Sequence, residues 1–122
     1  MSELKDLVPP LDLCKKIPAG EFQDSALVRS IDSVGTVVLC ERENAIHTEG
    51  WQTIPAPTLQ ELIVALSDIS ISSIKVCKSF NEWHVECCIP IEYGERFVSE
   101  DSSKNAATAA VKLWLKLKGI EG

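Results

Sequence analysis

Residues 72–89, SSIKVCKSFNEWHVECCI, contain two short runs in which apolar and polar side chains alternate. Alternation with a period of two predicts β-strands, because successive side chains of a strand point to opposite faces. If Phe80 and Asn81 form a two-residue turn, the strands pair as a hairpin with Val76 opposite Val85. The apolar side chains of both strands then share one face. This register is well specified, because a slip of one residue would move them to the polar face.

The other face of this hairpin groups polar and reactive side chains. The same register places Cys77 beside His84, and Lys75 beside Glu86. Cys77, His84 and Glu86 are therefore the candidate catalytic residues, since a thiol beside an imidazole can be a nucleophile and its general base. No sequence element supplies an oxyanion hole. We interpret the face as a half-exposed sheet surface on which Lys75 and Glu86 form a weak ion pair.

Metal binding at this face is the second chemical interpretation. Cys77, His84 and Cys88 carry sulfur and nitrogen ligands that zinc accepts. Residues two apart on a strand are about 6.5–7 Å apart at the backbone, and the chain has no Cys-x-x-Cys pair. It also has no glycine-rich phosphate loop. We therefore predict no metal site and no cofactor.

A second hairpin is predicted upstream, from strands at 25–31 and 36–43. Asp32 and Gly35 supply the turn between them. Residues 37–40 are consecutively apolar, a pattern typical of a strand that is buried on both faces.

Two helices follow from capping signals and apolar spacing. The segment TLQE at 58–61 matches a capping box, in which the first and last side chains each satisfy a backbone N–H of the first turn. Apolar residues then recur at helical spacing, which predicts a helix over 58–69. A second helix is predicted over 103–118, with Ser102 or Ser103 as its N-cap.

Together these elements predict an α+β fold of order ββαββα. The two hairpins would form one four-stranded antiparallel sheet, with both helices packed on its apolar face, which carries Ile74, Val76, Val85, Cys87 and Ile89. Residues 1–10 are expected to be a flexible arm, and 11–122 a single domain that could begin with a short helix. That helix, or a second subunit, would partly cover the opposite face beside strand 36–40.

The overall composition restricts the class of partner. The chain has 122 residues and a formal net charge of −6, which opposes binding to a phosphate backbone. No window reaches the roughly 18 apolar residues of a membrane span, and no signal peptide is recognisable. The five cysteines include no paired motif, so we interpret them as reduced thiols of a cytoplasmic protein.

The loop at 44–57 supplies the remaining interaction candidates. Trp51 follows Gly50 there, and His47 lies four residues before Trp51. A tryptophan in a loop either closes the edge of the core or marks a contact surface. We take Trp51 and His47, together with His84, as candidates for contact with a partner.

Three stretches of the chain resemble a known type of protein. LCKKIPAGEFQDSALV (13–28), IPAPTLQELIVAL (54–66) and AATAAVKLWLKLKG (106–119) are similar to small proteins encoded by gut anaerobes and their phages. Some of these are grouped as a phage α/β/α sandwich domain. The resemblance implies a structural type and a phage or prophage origin, in host cytoplasm, and it carries over no catalytic residue.

A second likeness is to small antitoxins with a partial ribonuclease-H-like fold. These also run a hairpin into a Thr-Leu-x-Glu helix, here at 58–61. The Gly-Tyr and Pro-Gly-Cys signatures of that group are missing from this chain. The resemblance implies a toxin-binding role.

The function predicted from the sequence is a non-enzymatic interaction or accessory protein with an unknown protein partner, present as a monomer or a homodimer. The alternatives are a small metal-dependent or Cys/His-dependent enzyme that uses Cys77, His84 and Glu86, and a toxin-binding module similar to an antitoxin. Binding to nucleic acid or to a membrane is not expected.

Overall fold

The computed structural model describes residues 7–18, 20–46, 48–69, 73–102 and 105–119. The elements follow in the order α1 (Leu11–Cys14), β1 (Leu27–Ile31), β2 (Val37–Glu41), a 3₁₀ turn (Arg42–Asn44), β3 (Gln52–Pro55), α2 (Leu59–Ser67), β4 (Ser73–Ser79), β5 (Glu82–Ile91), β6 (Gly94–Ser102) and α3 (Ala106–Leu117).

The strands form two separate antiparallel sheets of three strands each. The first sheet has the order β2-β1-β3, and the second has the order β4-β5-β6. The predicted single four-stranded sheet is therefore wrong, although the α+β class is confirmed. Each predicted hairpin is present, but each gains a third strand that the sequence pattern does not predict, β3 in the first sheet and β6 in the second.

The two unpredicted strands lack the alternation that identifies a strand. In β6 most side chains are exposed or half-buried, and Val98 is its one buried apolar residue. In β3 no side chain is buried, and the strand ends at Pro55. Backbone pairing with β5 and β1, respectively, holds these strands in place. Such pairing is a tertiary interaction, and the local pattern of residues does not encode it.

The register of the β4–β5 hairpin is confirmed. Val76 pairs with Val85, and Cys77 pairs with His84. The turn between the strands has Phe80 at φ 53°, in the left-handed region that two-residue hairpin turns require.

Helices α2 and α3 pack on the apolar face of the second sheet, as predicted. The main core combines Leu62 and Leu66 of α2, Val85 and Cys87 of β5, Val98 of β6 and most of α3. The partly buried Ile74, Val76 and Ile89 pack against it. Trp114 is 1% exposed, and the ring of Phe22 meets it edge to face, with 5.0 Å between ring centroids.

The start of α2 has the predicted capping box. The Glu61 backbone N–H donates to Thr58 Oγ1 at 3.4 Å, and the Thr58 N–H donates to Glu61 Oε1 at 2.8 Å. The second carboxylate oxygen of Glu61 accepts the Ala26 N–H at 2.8 Å. One side chain thus caps α2 and also ties it to the chain entering β1.

The predicted start of α3 is wrong by a few residues. Asn105 is its N-cap and accepts the Thr108 N–H at 2.7 Å. Ser102 belongs to β6, and Ser103 lies outside the described residues. The Asn105 amide also donates to Val8 O at 3.0 Å, so this cap fastens the N-terminal segment to α3.

The strand of the first sheet that is buried on both faces is β1, not β2. Val28, Arg29 and Ser30 are all buried, whereas every residue of β2 is exposed or half-buried. The prediction of a doubly buried strand at 37–40 is therefore wrong, because β2 is the edge strand and β1 the central one.

A small second core holds the N-terminal segment against the first sheet. It consists of Val8, Cys14, Leu27 and Ala56, with Leu39 and Ile54 packed against it. The buried Arg29 side chain donates to Pro9 O at 2.8 Å and contacts Cys14 Sγ at 3.1 Å. The predicted short helix is present as α1. Residues 1–6 of the predicted arm lie outside the described residues.

Among the described residues, no helix combines the length and apolar character needed to cross a bilayer.

Replacement of Glu61 by Ala removes both the cap of α2 and the link to Ala26. We expect the free energy of unfolding to fall by about 1–2 kcal/mol. Urea denaturation followed by circular dichroism measures it. The neighbouring exposed Gln60→Ala is the matched control, and we expect it to stay within about 0.5 kcal/mol of the parent. Equal losses in the two variants would contradict the dual role of Glu61.

Candidate functional site

The candidate residues lie on the face of the second sheet that points away from α2 and α3, which we call the open face. Its members alternate along the strands and are Ser73, Lys75, Cys77 and Ser79 of β4, Glu82, His84, Glu86, Cys88 and Pro90 of β5, and Glu95, Phe97, Ser99 and Asp101 of β6. Most of these side chains are exposed or half-buried, so this face has solvent access.

His84 lies between two carboxylates at the centre of the open face. Its Nδ1 donates to Asp101 Oδ1 at 2.5 Å, and its Nε2 lies 3.5 Å from Glu86 Oε1. The sequence placed Glu86 on the same face as His84. It did not predict Asp101 as a neighbour of His84, because Asp101 belongs to β6, a strand that the sequence pattern does not predict.

The two carboxylates raise the pKa of His84 above its ordinary value. The hydrogen bond to Asp101 is the largest cause, partial burial opposes it, and the contact with Glu86 adds to the rise. A carboxylate on each side favours the charged imidazolium form. His84 therefore binds its second proton more readily than a free histidine, because Asp101 and Glu86 lie beside the ring.

Cys77 is the cross-strand neighbour of His84, but the imidazole is not oriented towards it. The two ring nitrogens of His84 face Asp101 and Glu86. In the described part of the chain, no hydrogen bond joins the Cys77 thiol to the ring. A nucleophile–base pair needs a ring nitrogen within hydrogen-bond reach of the thiol. The observed orientation instead makes His84 a partner of carboxylates.

Cys88 has a different partner on the same face. Its thiol donates to Glu95 Oε2 at 2.7 Å. This hydrogen bond, followed by desolvation, raises the pKa of Cys88 to about 11. The thiolate is the form that attacks electrophiles and binds metals, and at neutral pH Cys88 is almost entirely protonated. Within the described residues, no cluster of three or more His, Cys, Asp or Glu side chains suits a metal ion.

The other interaction candidates do not join this face. Trp51 is half-buried and lies directly before β3 of the first sheet. Its backbone N–H donates to Thr48 O at 3.1 Å. His47 lies outside the described residues. The structure therefore brings together Cys77, His84 and Glu86, and it places Trp51 at a different sheet.

Two exposed aromatic residues, one on the open face and one at its end, were not predicted from the sequence. Tyr93 is 91% exposed in the turn between β5 and β6, and Phe97 is 65% exposed on the open face. Here β5 and β6 extend beyond the last pair with β4, which joins Ser73 to Cys88. We call this two-stranded extension, residues 89–97, the hairpin arm. Once β6 is recognised as a strand, buried Val98 shows that its neighbour Phe97 must point to the open face.

Comparison with known protein families, curated protein sequences and solved structures found no match for this chain.

The Asp101 contact predicts a specific pH dependence. We expect the NMR-measured pKa of His84 to exceed 6.5 and to fall in Asp101→Asn. A pKa raised by folding stabilises the protein fully below the unfolded pKa, and this contribution is lost as the pH rises through the folded pKa. Urea unfolding from pH 5 to 9 should show this loss in the parent and less of it in Asp101→Asn. An unchanged His84 pKa in Asp101→Asn would contradict the role of Asp101. Glu82→Gln is the control, and it should leave the pKa of His84 as in the parent.

The Cys88–Glu95 hydrogen bond predicts a slow thiol. In Glu95→Gln the pKa of Cys88 should fall from about 11, and desolvation should then be the largest cause that still raises it. Its alkylation by iodoacetamide at pH 9 should therefore accelerate, from the slow rate expected of a thiol that is 3% exposed. Tandem mass spectrometry of the peptide that carries the adjacent Cys87 and Cys88 reads the rate at each thiol separately. Glu92→Gln, an exposed turn residue nearby, should leave the rate unchanged. Equal rates in the parent and Glu95→Gln would contradict this role of Glu95.

Proposed function

We propose that this chain is a non-enzymatic interaction protein that binds a cationic segment of a protein partner through the open face of its second sheet. The observation that carries the proposal is a solvent-accessible sheet face rich in carboxylates, with exposed aromatic rings beside it. A partner that is both basic and partly apolar matches this surface.

The charge distribution of the open face supports a cationic partner. The carboxylates of Glu82, Glu86, Glu95 and Asp101 share this face with one lysine, Lys75. A surface with an excess of one sign attracts the opposite sign, accelerates encounter and disfavours partners of like charge. Phosphate backbones and anionic membranes are of like charge. Arginine and lysine side chains are complementary to the face.

The hairpin arm supports a contact that also has an apolar component. Tyr93 and Phe97 are among the most exposed large side chains, at 91% and 65%. Aromatic residues are enriched at the centres of protein interfaces, and an arginine side chain can stack on an aromatic ring while it pairs with a nearby carboxylate. Phe97 and Glu95 lie on the same face of β6 and offer both contacts.

The cellular setting belongs to the same proposal. An accessory protein of a phage or prophage, acting in the host cytoplasm, agrees with the likeness at 13–28, 54–66 and 106–119. His84 held between carboxylates supports binding over catalysis, because neither of its ring nitrogens is directed at the Cys77 thiol.

The binding surface can be tested with hexa-arginine as the probe. In an NMR titration we expect the largest amide shifts in β5, β6 and the hairpin arm, and no response to hexaglutamate. Phe97→Ser should weaken the affinity about fivefold or more, because it removes the stacking surface. Glu82→Gln should weaken binding and reduce its salt dependence.

The matched control is Phe80→Ser, which removes an aromatic ring that is 97% exposed in the β4–β5 turn. We expect it to leave hexa-arginine affinity within about twofold of the parent. Shifts spread evenly over the chain, or equal effects of Phe97→Ser and Phe80→Ser, would contradict a binding surface at the open face.

A further inference from the structure

The two sheets have four edge strands, and three of them carry features that disfavour pairing with another chain. β4 has Lys75 and Lys78, and β3 ends at Pro55. β6 has two pairs of charged residues, Glu95 with Arg96 and Glu100 with Asp101. Charged side chains and proline are the usual protection of an exposed edge.

The remaining edge, β2, has almost no such protection. Its sequence is VVLCE, with one charged residue, Glu41, at its end. Val37 and Val38 are 42% and 37% exposed. In the part of the chain that the structure describes, β2 pairs only with β1. An apolar, β-branched edge without lysine or proline is a ready template for another strand.

The hydrogen-bond pattern shows which backbone groups of β2 are free. The Asp32 N–H donates to Thr36 O, and the Arg42 N–H donates to Ala26 O. Hydrogen-bonded pairs alternate along an antiparallel ladder. The even-numbered residues of β2 therefore bond to β1. Val37, Leu39 and Glu41 direct their N–H and C=O groups to the outer edge.

We propose that β2 pairs antiparallel with β2 of a second copy of this chain, about a two-fold axis at Leu39. Val37 of each copy lies opposite Glu41 of the other, and the two Leu39 residues face each other. The two first sheets thereby join into one continuous six-stranded sheet. All outward N–H and C=O groups of β2 become paired. This inference is independent of the proposed function, which concerns the second sheet.

This register is the one that fits a second copy best. If the two-fold axis moves by one residue in either direction, one outward-facing residue of each copy is left unpaired. With the axis at Leu39, all three outward-facing residues of β2 are paired. It places each Glu41 beside an apolar Val37, and the two Glu41 carboxylates are kept apart. On the other face it places Val38 opposite Cys40 of the second copy, so that apolar side chains meet. Directly opposed like charges are avoided.

The dimer is expected to be weak and to depend on concentration. Two five-residue strands bury less than a standard interface of about 1,600 Å², so we expect a dissociation constant in the range of about 10–1,000 μM. Each copy has a formal charge of −6. Added salt should therefore strengthen association by screening the repulsion.

Sedimentation equilibrium and hydrogen exchange on the full chain test this proposal. From about 10 μM to 1 mM we expect monomer to convert to dimer. Over the same range, exchange at the amides of Val37, Leu39 and Glu41 should slow at least about fivefold. A monomer at all concentrations, or a dimer whose new protection lies elsewhere, would overturn the proposal.

A matched pair of substitutions at Val37 tests the register. Val37→Glu places a second carboxylate opposite Glu41 of the other copy, whereas Val37→Lys places an ammonium there. Two such cross-strand pairs form in each dimer, so the dissociation constants of the two variants should differ by about tenfold, with the lysine variant tighter. The difference should exceed that between Val38→Glu and Val38→Lys, which change the net charge equally but lie opposite Cys40. Equal dissociation constants would overturn this register.

Phe97→Ser separates this proposal from the proposed function. It removes a ring from the second sheet, and dimerisation should remain unchanged. Loss of dimerisation in Phe97→Ser would assign self-association to the open face and would overturn pairing through β2.

Discussion

The burial of α3 on nearly all sides is the constraint on which the rest of the structure depends. From Ala106 to Leu115 every residue except Lys112 is buried. One side of the helix packs on α2, β5 and β6, and α1 contacts it as well. Alanines at the start of the helix allow this close approach. Because both long helices are used on one face of the second sheet, the opposite face stays open, and this is where the candidate site lies.

The parts of the fold that could be predicted from the sequence are those with short-range causes. The register of the β4–β5 hairpin follows from alternation and a two-residue turn, and the start of α2 follows from Thr58 and Glu61. β3 and β6 could not be predicted in this way, because they are held by pairing with strands and not by an alternating apolar face. Val98 is the one buried apolar residue in β6, and one such residue gives no period. Without these third strands, the prediction joined the two hairpins into one four-stranded sheet. In the structure each hairpin belongs to its own three-stranded sheet.

The candidate site shows the same limit at the level of a single side chain. The hairpin register correctly predicted that Cys77 and His84 are neighbours, but it could not predict the orientation of the imidazole. That orientation is set by Asp101, which comes from the strand that was missed. A carboxylate on the far side of the ring turns a potential nucleophile–base pair into a group of acids around a histidine. One unpredicted strand thus changed the chemistry that the site supports.

The open face and the β2 edge differ in the type of interaction that they permit. Two open faces of the second sheet would repel each other, because each carries carboxylates from Glu82, Glu86, Glu95 and Asp101, so this face suits a partner of opposite charge. The β2 edge is nearly uncharged and presents backbone groups that an antiparallel copy of itself can satisfy. A chain with a formal charge of −6 can associate with itself only where its charges are sparse. The separation of carboxylates on one sheet from an apolar edge on the other would therefore allow both proposed contacts at once.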